Sequence, residues 1–241
     1  MNDSLEMYGL THIGRVKQNN EDNYYLNPEK GIAFVADGMG GHECGEVASA
    51  LAVLSIQENA SIYESTDYTK EMGAKWLEEA HYQICQSSLG KGSRSMGTTA
   101  VLALIHEKKT YVSWVGDSRA YMYSDGKIHH LSKDHSVVQQ MIDAKVITEL
   151  QARTHERRNV ITQSLGGGGL QIYPDTNFAY LSKNNILILF SDGLNEELDD
   201  EEIKTCIRSG GGLQAICERL VYQALEKGAK DNVTVVLVKT P

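Results

Sequence analysis

The sequence predicts an α+β fold in which paired antiparallel strands form two β-sheets and amphipathic helices pack outside them. Short strand patterns concentrate toward both ends of the chain, helical patterns lie between them, and no regular strand–helix alternation indicates a doubly wound parallel sheet. The predicted strands span residues 7–12, 23–27, 32–36, 99–105, 111–115, 120–123, 186–190 and 233–238.

Three segments show helical periodicity. Val47, Leu51 and Leu54 recur at helical spacing, and a second amphipathic stretch covers residues 76–84. The clearest pattern covers residues 213–225, where apolar residues follow the i, i+3, i+4, i+7 rule and Gly228 is a suitable stop. Residues 135–165 are typical of short helices and polar loop, and we expect an insertion beside the core. With three prolines and no repeat, residues 1–241 are predicted to form one domain.

Composition excludes several classes of protein. The chain of 241 residues has a formal net charge of −9, which disfavours nucleic acid as a partner. The longest apolar runs, 186–190 and 233–238, are too short to span a bilayer, and the N-terminus lacks a secretory signal, so no membrane partner is expected. Four cysteines without metal spacing are typical of free thiols in a reducing compartment. We therefore expect a soluble cytoplasmic protein, and a monomer.

Three apolar runs end in an aspartate. They lead into Asp37, Asp117 and Asp192, and Asp231 stands directly before the run 233–238. A buried strand delivers its terminal side chain to the edge of the core, where an unpaired carboxylate is costly. Converging carboxylates would repel one another and take up protons unless a divalent cation lay among them. A single Asp-Gly is more often turn chemistry, but four such positions together favour a metal site.

The ligand type narrows the metal and the reaction. Carboxylate and carbonyl oxygens suit Mg²⁺ or Mn²⁺, and Gly38 allows its carbonyl to approach an ion closely. Two such ions bridged by one carboxylate can activate water for phosphate monoester hydrolysis. Near the N-terminus, Asp22 is expected to join this site, while Lys17 or Arg15 pairs with phosphate.

Other phosphate and nucleophile chemistries lack their signatures. No cysteine is followed six residues later by arginine, and neither a GxxxxGK[ST] loop nor a GxGxxG fingerprint occurs. The segment from Gly116 to Ala120 is similar to a nucleophile elbow but lacks its final glycine.

Taken in order, several segments resemble the metal-dependent protein phosphatase family, the type 2C serine/threonine phosphatases, and in particular its bacterial members. The matching segments, which run across nearly the whole chain, are 20–22 (Asn-Glu-Asp), 35–42 (Val-Ala-Asp-Gly-Met-Gly-Gly-His), 96–100, 115–120, 159–162 with 165–166, 191–193 (Ser-Asp-Gly) and 231–234 (Asp-Asn-Val-Thr).

The resemblance implies a four-layer sandwich of two face-to-face antiparallel sheets flanked by pairs of helices, with residues 135–165 as a flap subdomain. It also implies two core ions and a third, weaker one. Asp37 would bridge the core ions and the Gly38 carbonyl would bind one of them, while Asp192 and Asp231 would hold the other. Asp22 would orient metal-bound water, and Asp117 would help to bind the third ion.

The chain departs from the family pattern at two positions. Lys17 stands where members usually carry a phosphate-binding arginine, so the charge is kept and the bidentate fork is lost. Met39 stands where the eukaryotic pattern has a histidine proposed as general acid, which makes His42 and the flap residue His155 the alternative candidates.

These features predict hydrolysis of phosphoserine and phosphothreonine in phosphorylated proteins, reversing a bacterial Ser/Thr kinase that is itself an expected partner. Two alternatives remain at this point. One is a catalytically weak module that binds phosphoproteins, suggested by Lys17. The other is a regulatory phosphatase that acts on a single dedicated partner.

Overall fold

The computed structural model describes residues 5–40, 44–63, 65–89, 96–167, 169 and 171–240. The strands are β1 (Glu6–His12), β2 (Asp22–Asn27), β3 (Ile32–Met39), β4 (Gly97–Thr98), β5 (Ala100–His106), β6 (Lys109–Val115), β7 (Arg119–Ser124), β8 (Lys127–His130), β9 (Asp175–Tyr180), β10 (Ile186–Phe190) and β11 (Val233–Lys239). The helices are α1 (Cys44–Ile62), α2 (Lys70–Leu89), α3 (Val137–Asp143), α4 (Glu149–Ala152), α5 (Asp192–Asn195), α6 (Asp200–Arg208) and α7 (Leu213–Lys227).

The strands form two sheets in which every described pairing is antiparallel. Sheet A has the order β1-β11-β10-β7-β8, and sheet B has the order β2-β3-β5-β6-β9 with β4 paired to β3. The predicted α+β class with two antiparallel sheets is confirmed.

The two sheets pack face to face through side chains that alternate along their strands. Ala33 and Val35 of β3 belong to one buried apolar cluster with Leu187 and Leu189 of β10 and with Val236 of β11. The neighbouring residues of the same strands point the other way, because successive side chains of a strand lie on opposite faces. On β3, β10 and β11, the residues whose side chains point toward the other sheet therefore form the layer between the two sheets.

Helices cover the outer face of each sheet. On sheet B, Ile32 and Phe34 pack with Ile56 of α1 and with Trp76 and Leu77 of α2. On sheet A, the residues whose side chains point away from sheet B pack with α6 and α7 in a second buried cluster. This arrangement of helices, sheet, sheet and helices confirms the four-layer sandwich.

The sequence missed β4, β8, β9, α5 and α6, and it ended β3 too early. Strand β3 was predicted to stop at residue 36, whereas it continues to Met39, so Asp37 lies inside a strand instead of following one. The pairing of Asp22 with Asp37 and of Gly38 with Thr98 carries the ladder past the apolar run. Apolar composition alone therefore underestimates this strand.

The segment 135–165 contains α3, α4 and turns, and its two ends pair with each other. Ser136 forms a bridge with Ile161, and Thr162 N donates to His135 O at 2.7 Å. Its function as a flap remains a prediction.

None of the described helices is long and apolar enough to cross a membrane. The four cysteines are free thiols.

Candidate functional site

Asp22 and Asp37 face each other across the ladder between β2 and β3. They are direct partners in the antiparallel register, so their side chains lie on one face of the sheet. The side chain of Asp37 lies on the same face of β3 as those of Ala33 and Val35. Both carboxylates are therefore placed at the end of the layer between the sheets. Like charges directly opposite each other destabilise a sheet, and this pair therefore requires an explanation beyond folding.

Asp22 is held from the second sheet. Its Oδ2 accepts hydrogen bonds from Ser191 Oγ at 2.7 Å and from Thr234 Oγ1 at 2.6 Å. Its Oδ1 is buried and has no hydrogen-bond partner among the described residues. One carboxylate oxygen is thus anchored while the other remains available to a ligand.

Asp192 and Asp117 come to the same end of the molecule. Asp192 is the first residue of α5, directly after β10, and its Oδ1 is also buried without a described partner. Asp117 follows β6 after a turn in which Gly116 adopts φ +102, and a Cβ there would lie 2.7 Å from the Thr99 side chain. Glycine is therefore required for the chain to turn and present Asp117.

Burial and mutual repulsion raise the pKa values of these carboxyl groups. Burial raises the pKa of Asp22 to about 6, with a further contribution from Asp231 against the hydroxyl donors that lower it. Burial and the charge of Asp134 raise the pKa of Asp117 to about 7. For Asp37 and Asp192 burial and the neighbouring aspartates raise the pKa well above its ordinary value.

These observations fit a site for divalent cations. The site offers oxygen ligands, buried carboxylate oxygens without a described hydrogen-bond partner, and carboxyl groups with raised pKa values. All three features fit a set of ligands for a hard divalent cation. Within the described part of the chain, no three such side chains already surround a single point as a metal shell. The carboxylates nevertheless lie within electrostatic range of one another, because the charges of Asp22, Asp192, Asp117 and Asp231 all act on Asp37.

Lys17 provides the positive charge at the rim of the cluster. Its Nζ lies 2.7 Å from Asp231 Oδ1. Burial lowers the pKa of Lys17, but the hydrogen bond and charge of Asp231 more than offset this, and the pKa is raised overall. Asn232 fixes the loop that carries Lys17, because its Nδ2 donates to Ile13 O at 2.9 Å and to Asn19 O at 3.0 Å.

The other sequence candidates lie away from this cluster. Arg15 donates from Nε to Leu225 O at 2.6 Å and from Nη2 to Glu226 Oε1 at 3.1 Å. These contacts hold its guanidinium on the C-terminal turn of α7, which favours Lys17 as the phosphate ligand. His155 Nδ1 accepts from Arg157 N at 3.1 Å within its own turn. His42 lies outside the described residues.

Comparison with known proteins identifies the family. The sequence-family model described as "Protein phosphatase 2C" matches residues 6–141 of this chain. Protein phosphatase PhpP of Streptococcus pneumoniae is 35% identical over 240 residues, covering 97% of this chain and 97% of its own. The chain belongs to the protein phosphatase 2C family. It is a serine/threonine protein phosphatase of the bacterial type, as the sequence predicted.

Solved phosphatases share the whole architecture. The serine/threonine phosphatase Stp1 of Staphylococcus aureus superposes with a TM-score of 0.90 at 31% identity, over 98% of this chain and 95% of its own. The catalytic domain of PstP, solved in complex with two manganese ions, gives a TM-score of 0.87 at 28% identity, over 98% of each chain. Membership of this family supports metal-dependent catalysis in this phosphatase.

Several residues that shape the site of this phosphatase had no role assigned from the sequence. Thr98 Oγ1 and Thr99 N both donate to Asp37 O, at 2.8 Å each, and thereby fix the backbone at the centre of the cluster. Ser191 and Thr234 anchor Asp22. A usable signal existed, because each of these hydroxyl residues lies beside or within a few positions of a motif glycine or aspartate.

Gly38 is required by close packing. A Cβ at this position would lie 2.2 Å from Gly45 O of α1 and 2.6 Å from Glu21 O. The first turn of α1 therefore approaches β3 closely beside Asp37. This observation explains the glycine structurally and leaves its carbonyl as a proposed metal ligand.

Proposed function

We propose that this phosphatase hydrolyses phosphoserine and phosphothreonine with two core divalent ions, Mn²⁺ or Mg²⁺, held by Asp37, the Gly38 carbonyl, Asp192 and Asp231. Asp117 would hold a third ion. The observation that carries the proposal is the facing pair Asp22–Asp37 at the end of the layer between the two sheets, in which Asp22 is buried and has one carboxylate oxygen without a described hydrogen-bond partner. Bound divalent ions would supply acidified water and neutralise phosphate charge.

The side chains of the protein position the reactants. Ser191 and Thr234 fix Asp22 through Oδ2 and leave Oδ1 able to accept a hydrogen bond from an attacking water. Thr98 and Thr99 donate hydrogen bonds to the backbone carbonyl of Asp37. The position from which its carboxylate projects is therefore fixed. Such fixed placement lowers the barrier because little reorganisation is needed during reaction.

The dependence on divalent metal tests the proposal directly. We expect turnover of a phosphothreonine peptide with added Mn²⁺ or Mg²⁺, and loss of turnover in excess EDTA that is restored by Mn²⁺. Calorimetric titration of Mn²⁺ into the EDTA-treated, desalted protein should give about two tight sites and a third weaker one. Activity undiminished by EDTA, together with no measurable metal binding, would refute the proposal.

Lys17 is proposed as the phosphate ligand. A metal ion held by Asp231 would compete with the ion pair between Lys17 and Asp231, and the Lys17 amine would then be available to contact the phosphate. We expect Lys17→Ala to raise KM for a phosphopeptide about 10- to 100-fold, and Lys17→Arg to lower it several-fold because the guanidinium binds phosphate through two parallel hydrogen bonds. Steady-state kinetics at saturating Mn²⁺ measures both effects.

Arg15→Ala is the matched control for Lys17. It removes a cation two residues away whose hydrogen bonds go to α7. We expect its KM to stay within about twofold of the parent chain. A large KM increase in Arg15→Ala with none in Lys17→Ala would instead identify Arg15 as the phosphate ligand and contradict the role proposed for Lys17.

The substrates are phosphorylated proteins, and we propose that they include a cognate Ser/Thr kinase whose action this phosphatase reverses. We also propose that it acts as a monomer in the cytoplasm. The four free thiols support a reducing compartment. Loss of phosphate from an autophosphorylated Ser/Thr kinase of the same organism, followed by mass spectrometry, tests the kinase assignment.

A further inference from the structure

A groove leads away from the aspartate cluster between the flap and the α5–α6 region. Its cavity volume is about 680 Å³, and its lining includes Asp117 and Asp192 at the reaction centre. The groove also reaches α3 and α4 of the flap on one wall and the loop between α7 and β11 on the other. A cavity of this size accommodates a short stretch of peptide on either side of a target residue.

Three cations on these walls form no close ion pair with a carboxylate of the described residues. Arg153 and Arg158 belong to the flap and Lys230 to the opposite wall, and all three are exposed. Within the described residues, no carboxylate oxygen lies in ion-pair distance of their charged groups. At longer range, Arg158 partly offsets the burial that raises the pKa of Glu196. The hydrogen bond from Lys227 lowers the pKa of Glu202, and Arg153 contributes to this lowering.

The other cations of the groove are already neutralised. Arg119 forms a bidentate pair with Asp134 at 2.8 and 2.7 Å. Lys133 lies 2.6 Å from Asp143, and Lys227 lies 2.6 Å from Glu202. Two of the carboxylates that line the groove are likewise engaged, because Asp134 pairs with Arg119 and Asp200 accepts from His130 Nε2 at 2.7 Å. Among the cations of the groove, Arg153, Arg158 and Lys230 are therefore the ones that lie outside ion-pair distance of a described carboxylate; Glu149, Glu196 and Glu197 line the same groove.

We propose that these three residues bind a second anionic side chain of the substrate, close in sequence to the residue being dephosphorylated, and that a second phosphate binds best. The inference rests on the proposed function of the aspartate cluster. In a chain of net charge −9, unpaired cations beside the reaction centre select acidic peptides from neutral ones. Two arginines favour phosphate over carboxylate, since each guanidinium can bind phosphate oxygens through a bidentate fork.

Three phosphothreonine peptides of one sequence test the proposal. They carry alanine, glutamate or phosphoserine at positions two to four residues from the target. We expect KM to fall about tenfold or more from the alanine peptide to the doubly phosphorylated one, with the glutamate peptide between them and kcat little changed. Equal KM values for all three peptides would overturn the proposal.

The variant Arg153→Gln/Arg158→Gln should remove most of this discrimination while leaving kcat and KM for the alanine peptide within about twofold. Arg157→Gln is the matched control, because Arg157 is exposed in the same turn and does not line the groove. Lys230→Gln, on the opposite wall, provides a second variant should the flap variant fail to give a cooperative thermal transition. Discrimination that survives both the flap variant and Lys230→Gln would contradict the assignment.

Binding separates this inference from the proposed function. Fluorescence anisotropy of the three labelled peptides on Asp37→Asn reports affinity without turnover. Tighter binding of the doubly phosphorylated peptide, lost in Arg153→Gln/Arg158→Gln placed in that background, would support the groove even if catalysis followed another route. Indistinguishable affinities would overturn the groove assignment while leaving metal-dependent hydrolysis of the alanine peptide intact.

Discussion

Replacing Asp37 or Asp192 with asparagine is expected to lower kcat/KM for a phosphopeptide by about 10³-fold or more, which corresponds to about 4 kcal/mol of lost transition-state stabilisation. Asparagine keeps the shape of the side chain and removes the charge that would hold a divalent cation. Asp37 lies within β3 and Asp192 is the first residue of α5, directly after β10, so the backbone fixes the position from which each carboxylate projects. Steady-state kinetics with saturating Mn²⁺ measures the loss.

The control for these variants is Asp67→Asn, an exposed aspartate in the connection between α1 and α2. It removes the same charge far along the chain from the cluster and should leave kcat/KM within about twofold. Raising Mn²⁺ should recover part of the loss in Asp192→Asn and less in Asp37→Asn, since Asp37 is proposed to bridge both ions. Activity of Asp37→Asn within about tenfold of the parent chain would refute its place at the centre.

The aspartate positions were predictable because each stands at one end of an apolar run. What the sequence could not give was their spatial relation. The pairing of Asp22 with Asp37 depends on the register of β2 against β3, which is set by backbone hydrogen bonds and packing between distant segments. The family resemblance supplied the roles, while the structure shows that the two carboxylates are direct neighbours across a ladder.

The weaker strands escaped prediction for a physical reason. Strands β8 and β9 stand at the free edges of the two sheets and are largely exposed, so neither shows an uninterrupted apolar run. Helix α5 has four residues and directly follows β10, which leaves no room for periodicity. Pattern reading succeeds where a full face is buried, as in α7 and β11, and fails where only one or two side chains enter the core.

The two candidate phosphate ligands show where side-chain placement decides. From the sequence, Lys17 and Arg15 were both candidates, and Lys17 stood at the position where the family usually carries its phosphate-binding arginine. The structure separates them, because the Arg15 guanidinium contacts carbonyl and carboxylate groups of α7 while Lys17 reaches Asp231. The path of the loop sets this difference, and Asn232, from the other end of the chain, holds that path by donating to Ile13 O and Asn19 O.

In the metal-free protein, the stabilising contribution of Asp22 and Asp117 is expected to be lost as the pH rises from about 4 toward 7. Burial holds the folded-state pKa of Asp22 at about 6 and that of Asp117 at about 7, above the value of about 4 in an unfolded chain. The folded state thus binds these protons more tightly than the unfolded state does. Their stabilising contribution is complete below pH 4 and disappears as the pH passes through the folded-state pKa values.

Asp117→Asn should therefore stabilise the metal-free protein at pH 7.5 while it weakens binding of the third ion. Asparagine carries no charge to bury beside Asp134 and Asp192, and we expect a gain of about 1–3 kcal/mol, or several degrees in Tm. Thermal unfolding in EDTA at pH 4.5 and 7.5 measures the effect as the difference between variant and parent, which cancels the surface ion pairs common to both. The gain should be small at pH 4.5, where the parent carboxyl is protonated, and saturating Mn²⁺ should reduce or reverse it at pH 7.5. A variant less stable than the parent in EDTA at pH 7.5 would show that Asp117 is not under the electrostatic strain that a metal ion would relieve.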